Sequence, residues 1–115
     1  MNATAALDPG ARPHLDVGVQ RLVGLVELSL DGTLDEHAVD QLCLVVEGVL
    51  ADGATDVEVD CTELAGIDGF GLSLLLDLHR QLAARGGSLV LRYLQPPVLE
   101  VIRRARLGDV LATAT

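Results

Sequence analysis

Lysine is absent from this chain, and eight arginines stand against seventeen acids, for a net charge of −9. A polypeptide so poor in cations lacks the basic surface that nucleic acid or an anionic membrane demands, so neither is expected as a direct partner. Two cysteines, Cys43 and Cys61, make neither a disulfide framework nor a metal set and read as small core residues in a reducing compartment. His14, His37 and His79 are dispersed, with no pair at ligand spacing, so no metal site is expected. No apolar run approaches the ~20 residues of a membrane-spanning helix. The first stretch, MNATAALDPGARPH, has no basic start and no apolar core, which excludes a secretory signal. Residues 1–13 are expected as a flexible lead and 14–115 as one domain in the cytoplasm. The missing lysine, with abundant Ala, Gly, Arg, Leu and Val, points to a GC-rich bacterial genome.

Half of the 115 residues are apolar, enough for a single core without staples and too many for a disordered tail. The charges are segregated. Residues 22–79 hold thirteen acids and no arginine, whereas residues 80–115 hold six arginines against Glu100 and Asp109. Such a division steers a basic partner to one side or simply keeps acidic faces solvated.

Alternation predicts strands at His14–Val19, at Leu22–Leu30 with Val26, Leu28 and Leu30 inward, at Asp56–Cys61 with Val57, Val59 and Cys61 inward, and at Ser88–Leu94. Between them, a helix is expected from Asp35 to Ala51, capped by Asp35 or by Thr33 with Glu36, burying Val39, Leu42, Cys43, Val46 and Val49. A second helix runs from the GIDGFG segment to ARGG, whose glycines suit a left-handed stop. Pro96 and Pro97 open a third, Val98–Arg106, and LGDVLA makes a last turn. The order ββαβαβα has two helical crossovers, hence an α/β fold: a mixed four-stranded sheet with helices packed on it.

The stretch VDCTELAGIDGFGLSLLLDLHRQLAARGGSLVL resembles the signature of the STAS domain, best known in anti-sigma factor antagonists. Asp60 and Asp68 match its two aspartates, Gly71 and Leu72 its Gly-Leu, and ARGGSLVL its end, while SLDGTLDEHAV places Gly32 and Asp35 in an earlier matching segment. The similarity covers roughly residues 14–112. It implies a non-enzymatic binding module that captures an anti-sigma factor of the serine-kinase type by partner switching, to regulate transcription. In that scheme the kinase phosphorylates a serine just after the second aspartate and ejects the antagonist, since nearly two negative charges arrive at an interface.

Here the departure matters. Gly69 stands where the family carries the phosphorylatable serine, and Phe70 where a second small hydroxyl residue sits. Ser73 is the nearest hydroxyl and only a weak candidate acceptor. Winding residues 70–85 at 100° per residue puts Gly71, Leu72, Leu75, Leu76, His79, Leu82 and Ala83 on an apolar face and Ser73, Asp77, Arg80, Gln81 and Arg85 on a polar one. Phe70 and Leu74 fall on the polar side. Phe70 either forms a small hot spot with Leu74 or folds back over the Thr62–Ile67 loop. The expected partner-binding set is Asp35, Asp68, Gly69, Phe70, Gly71, Ser73, Leu74 and Asp77.

GIDGFG lacks the lysine and hydroxyl of a phosphate loop, no catalytic constellation is present, and no cofactor is expected. A second class of function is a STAS subunit of an ABC-type lipid transporter, acting through standing protein contacts. A homodimer stays open, and so does redox control through Cys43 and Cys61, which needs their α-carbons within about 7 Å.

Overall fold

The computed structural model describes residues 15–114. The expected lead at 1–13, and His14, lie outside that range. Five strands and three helices follow one another as β1 (Leu15–Leu22), β2 (Leu25–Leu34), α1 (Val39–Ala51), β3 (Asp56–Ile67), α2 (Gly69–Ala84), β4 (Ser88–Arg92), α3 (Pro96–Arg104) and β5 (Ala112–Ala114). The sheet order is β1-β2-β3-β4-β5, with β1 antiparallel to β2 and every other pair parallel.

Register follows from the alternation of side chains. Val26 and Leu28 of β2 stand opposite Val57 and Val59 of β3, which stand opposite Leu89 and Leu91 of β4. These residues are buried and form one core with Leu42, Val46 and Val49 of α1, Leu72, Leu75, Leu78 and Leu82 of α2, and Val98 and Ile102 of α3. A slip of one residue would turn the whole set to the other face, so the buried side fixes the pairing. On the opposite face Glu27, Ser29, Asp31, Glu58 and Asp60 are at least partly exposed, and Arg92 pairs with Glu58 at 3.5 Å.

Several boundaries differ from the pattern in the sequence. The sheet has five strands rather than four. β5 is three residues of Ala and Thr, too short and too weakly apolar to alternate visibly, yet it pairs in register with Val90–Arg92. β1 runs through Leu22, and the hairpin turns at Val23–Gly24, so Leu22 closes the first strand instead of opening the second. β3 continues through TELAGI, expected as a loop, because β2 also extends to Leu34 and supplies partners up to Leu34↔Ile67.

α1 starts at Val39, not at Asp35, and its N-cap position, Ala38, has no side-chain cap. Asp35 caps the preceding turn instead, its Oδ1 accepting from the His37 amide at 3.0 Å. Val39 and Cys43 are half-buried, while Leu50 is buried. On α2 the buried stripe includes Leu78, while Leu76 and His79 are half-buried and Ala83 is exposed. The stripe is turned toward the flank where α1 packs. Gly86, at φ +78°, adopts the left-handed turn that ends α2. α3 opens with both prolines in its first turn, and the Gln95 side-chain amide donates to the Thr62 carbonyl, tying that turn to β3.

Candidate partner-binding site

The parallel pair Leu34↔Ile67 delivers two chain ends side by side at one edge of the sheet. The Asp68 amide donates to the Leu34 carbonyl at 3.2 Å. The Asp68 carboxylate then uses both oxygens. Oδ1 accepts from the Gly71 amide at 3.0 Å and caps α2, while Oδ2 accepts from the Glu36 amide at 3.1 Å. One aspartate thus satisfies an orphan donor of its own helix and holds the segment before α1. A capping box between Thr33 and Glu36 is excluded by that geometry, since the Glu36 amide is already committed to Asp68.

Gly71 is buried directly beneath this cap. A β-carbon there would lie 2.4 Å from the Leu34 carbonyl oxygen and 2.8 Å from Ile67 Cγ1, so only glycine lets the helix descend onto the two strand ends. Gly69 is the opposite case. It is exposed, has helical backbone, and has nothing within 4 Å of a β-carbon.

Phe70 is 60% exposed and does not fold under the β3 end. With Asp68, Gly69 and Ser73 it lines an open hollow of about 370 Å³. Ser73 and Asp77 are exposed, and Asp77 accepts from the Gln81 side-chain amide at 2.8 Å. Leu74 is half-buried and packs against the core rather than standing free on the polar side. Asp35 lies on the neighbouring turn, half-buried. The expected residues therefore gather around the start of α2, with Gly71 inside, Asp77 two turns further along and Asp35 across the gap. Leu44, in the middle of α1, is 71% exposed and was not among them. Its signal was available: on a helical wheel it lies opposite the Leu42, Val46, Val49 stripe.

The two thiols have separate surroundings and both are free. Cys43 donates to Glu47 at 3.6 Å; partial burial, then the Glu47 carboxylate, raises its pKa. Cys61 is fully buried, and desolvation pushes its thiol up to about 12. Asp60, the first of the two aspartates, accepts from the Thr62 hydroxyl at 2.6 Å and the Thr62 amide at 2.9 Å. These bonds, the hydroxyl first, hold its carboxyl below the usual value. Among the described residues no group of His, Cys, Asp or Glu is arranged to hold a metal ion, and no helix is long and apolar enough to cross a membrane.

A family model described as "Mlab, STAS domain" matches residues 17–113. The chain belongs to the STAS domain family. SpoIIAA, an anti-sigma factor antagonist, is similar in its unphosphorylated form at 28% identity and a TM-score of 0.75, covering 87% of this chain and 89% of SpoIIAA. The phosphorylated form, from Bacillus, matches at 27% identity and a TM-score of 0.69, covering 87% and 92%. An anti-sigma factor antagonist from Mycobacterium paratuberculosis shares the fold at 18% identity and a TM-score of 0.80, with 90% and 88% covered. No curated protein matches the sequence. The STAS fold and the likeness to anti-sigma factor antagonists thus stand on the whole domain.

Proposed function

We propose that this STAS domain is a non-enzymatic cytoplasmic binding module that engages an anti-sigma factor of the serine-kinase type through the start of α2, without phosphorylation at the usual place. The observation that carries this reading is Gly69: it follows the capping aspartate, it is open to solvent, and it has no oxygen to accept a phosphoryl group. Binding is then constitutive, or set by the amount of protein or by another signal. Phe70 supplies contact area beside that position, where an exposed aromatic gives much affinity at low entropic cost.

The test is incubation of the chain with a cognate kinase and ATP, followed by mass spectrometry and a binding measurement. Wild type is expected to bind and stay unmodified, while Gly69→Ser gains phosphate and loses binding. Phosphate elsewhere on the wild-type chain, with loss of binding, overturns the reading.

A second reading is favoured by the missing hydroxyl together with the match to a model described as "Mlab, STAS domain". In it the same surface holds the ATPase of an ABC-type lipid transporter as a permanent contact. Co-purification separates the two, since a histidine-kinase-like ATPase supports the first and an ABC ATPase the second.

A further inference from the structure

β1 forms the long edge of the sheet, eight residues against the three of β5 at the other side. It pairs with β2 along its whole length without a bulge and contains neither lysine nor proline, the usual means of blunting an edge. The two-residue turn at Val23–Gly24 makes Leu22↔Leu25 a hydrogen-bonded pair. By alternation the N–H and C=O groups of Leu15, Val17, Val19 and Arg21 then point away from β2. The Leu15 carbonyl accepts from the Gln41 side-chain amide at 2.7 Å, as an outward group does. Among the described residues, the outward groups of Val17 and Val19 meet no partner.

The helix side of this edge is an apolar shelf. The Gln41 bond at one end and the Arg21–Asp52 ion pair at 2.9 Å at the other lay one flank of α1 along β1. Residues 41, 45, 48 and 52 share a helix face, so Val45 and Gly48 stand on that flank between the two ties. Val17 and Val45 are half-buried, and Val19 is 43% exposed. Nothing lies within 4 Å of a β-carbon at Gly48, which leaves the shelf open. Its two charges, Arg21 and Asp52, neutralise each other. Acidic surface repels a second copy of a chain with net charge −9, and this shelf carries no unpaired charge.

We propose that β1 pairs with β1 of a second copy, antiparallel across a two-fold axis at Gly18, joining the two five-stranded sheets into one. In this register Val17 of each copy stands opposite Val19 of the other, as hydrogen-bonded pairs with their side chains on the helix side. Asp16, which forms no ion pair among the described residues, stands opposite Gln20 of the second copy, whose amide can donate to it. Gly18 meets Gly18, so no side chain obstructs the axis. The two shelves close on each other and cover Val17, Val19 and Val45. β1 and the start of α2 share no residue, so the inference is independent of the reading above.

Sedimentation equilibrium on the full chain tests it. Wild type is expected to reach twice the chain mass at about 0.1 mM and to dissociate on dilution. Added salt should tighten the dimer, because it screens repulsion between two acidic chains. Val19→Pro removes an outward N–H and spares the ladder to β2; it should weaken the dimer about tenfold or more, with unchanged far-UV circular dichroism. At Gly18 a β-carbon meets only the Ser29 side chain, at 3.6 Å, so cysteine fits. Gly18→Cys should crosslink two copies under copper–phenanthroline, while Gly108→Cys, equally exposed, should not. Phe70→Ala should leave the dimer unchanged. A wild type that stays monomeric at that concentration overturns the proposal. So does a dimer that survives Val19→Pro, is lost in Phe70→Ala, or crosslinks no better at residue 18 than at residue 108. If Val19→Pro does not fold, the comparison of crosslinking at residues 18 and 108 decides.

Discussion

Gly71 rests against the carbonyl oxygen of Leu34, with only 2.4 Å available where a β-carbon would be. The helix thus begins on top of the sheet edge, not beside it. Gly71→Ala must lift α2 or displace the β2 end, and it is expected to cost about 3 kcal/mol. Urea denaturation measures the loss; a change under about 0.5 kcal/mol would show that the contact relaxes freely.

Asp68 serves two segments at once, so its removal should be felt on both. Asp68→Ala is expected to cost about 1–2 kcal/mol. Amide exchange at Gly71 and at Glu36 should speed up together. Faster exchange at Gly71 alone would mean that the tie to Glu36 carries no stability.

Phe70 should be nearly silent in folding. With 60% of its surface in water, Phe70→Ala is expected to change stability by less than about 0.5 kcal/mol. Partner affinity, measured by calorimetry, should fall by about 2 kcal/mol or more. A large loss of stability with unchanged affinity would assign the ring to packing.

The Asp60–Thr62 pair sets a pH dependence with a definite sign. Because the folded carboxyl titrates below its ordinary 3.8, its contribution to stability is present above that value and is lost as pH falls through the folded pKa. Thr62→Val removes the largest cause and should bring the Asp60 pKa up toward 3.8 by NMR titration. The variant's acid unfolding should show correspondingly less dependence on Asp60.

Neither thiol should be reactive in the native state. Cys61, fully buried and pushed up to about 12, is expected to resist alkylation until the protein unfolds. Cys43, half-buried with its pKa raised, should react more slowly than a free cysteine. A protection ratio near one between native and unfolded protein would contradict both environments.

The sequence carried the central sheet because Val26, Leu28, Val57 and Val59 alternate with Glu27, Ser29, Glu58 and Asp60, and a period of two leaves little choice of face; β4 shows it less cleanly, with Val90 between Leu89 and Leu91. It carried the existence of α2 for a similar reason. The extension of β3 through TELAGI was hidden, since Thr, Glu, Ala and Gly become a strand there only because β2 lies alongside. The start of α1 is not legible in the local sequence, because the acceptor that holds the Glu36 amide, Asp68, lies 32 residues away. On α2, the wheel gives the stripe in outline, and Leu78 belongs to it by spacing, three residues after Leu75 and four before Leu82. The aspartate, glycine and aromatic at the α2 start were legible as a group. Leu44 belongs to another element and stands exposed on α1, opposite that helix's buried stripe.

The open space around Gly69 also bears on how the site can change over generations. Its backbone is helical and unobstructed, so glycine is not required there by packing or conformation; a serine would fit and hold the helix about 0.5 kcal/mol better. Glycine codons ending in a pyrimidine become serine codons by one G-to-A transition. With such a codon the hydroxyl at this position is one base away, and the open space around it lets it be gained or lost without disturbing the packing, so that selection there acts on chemistry.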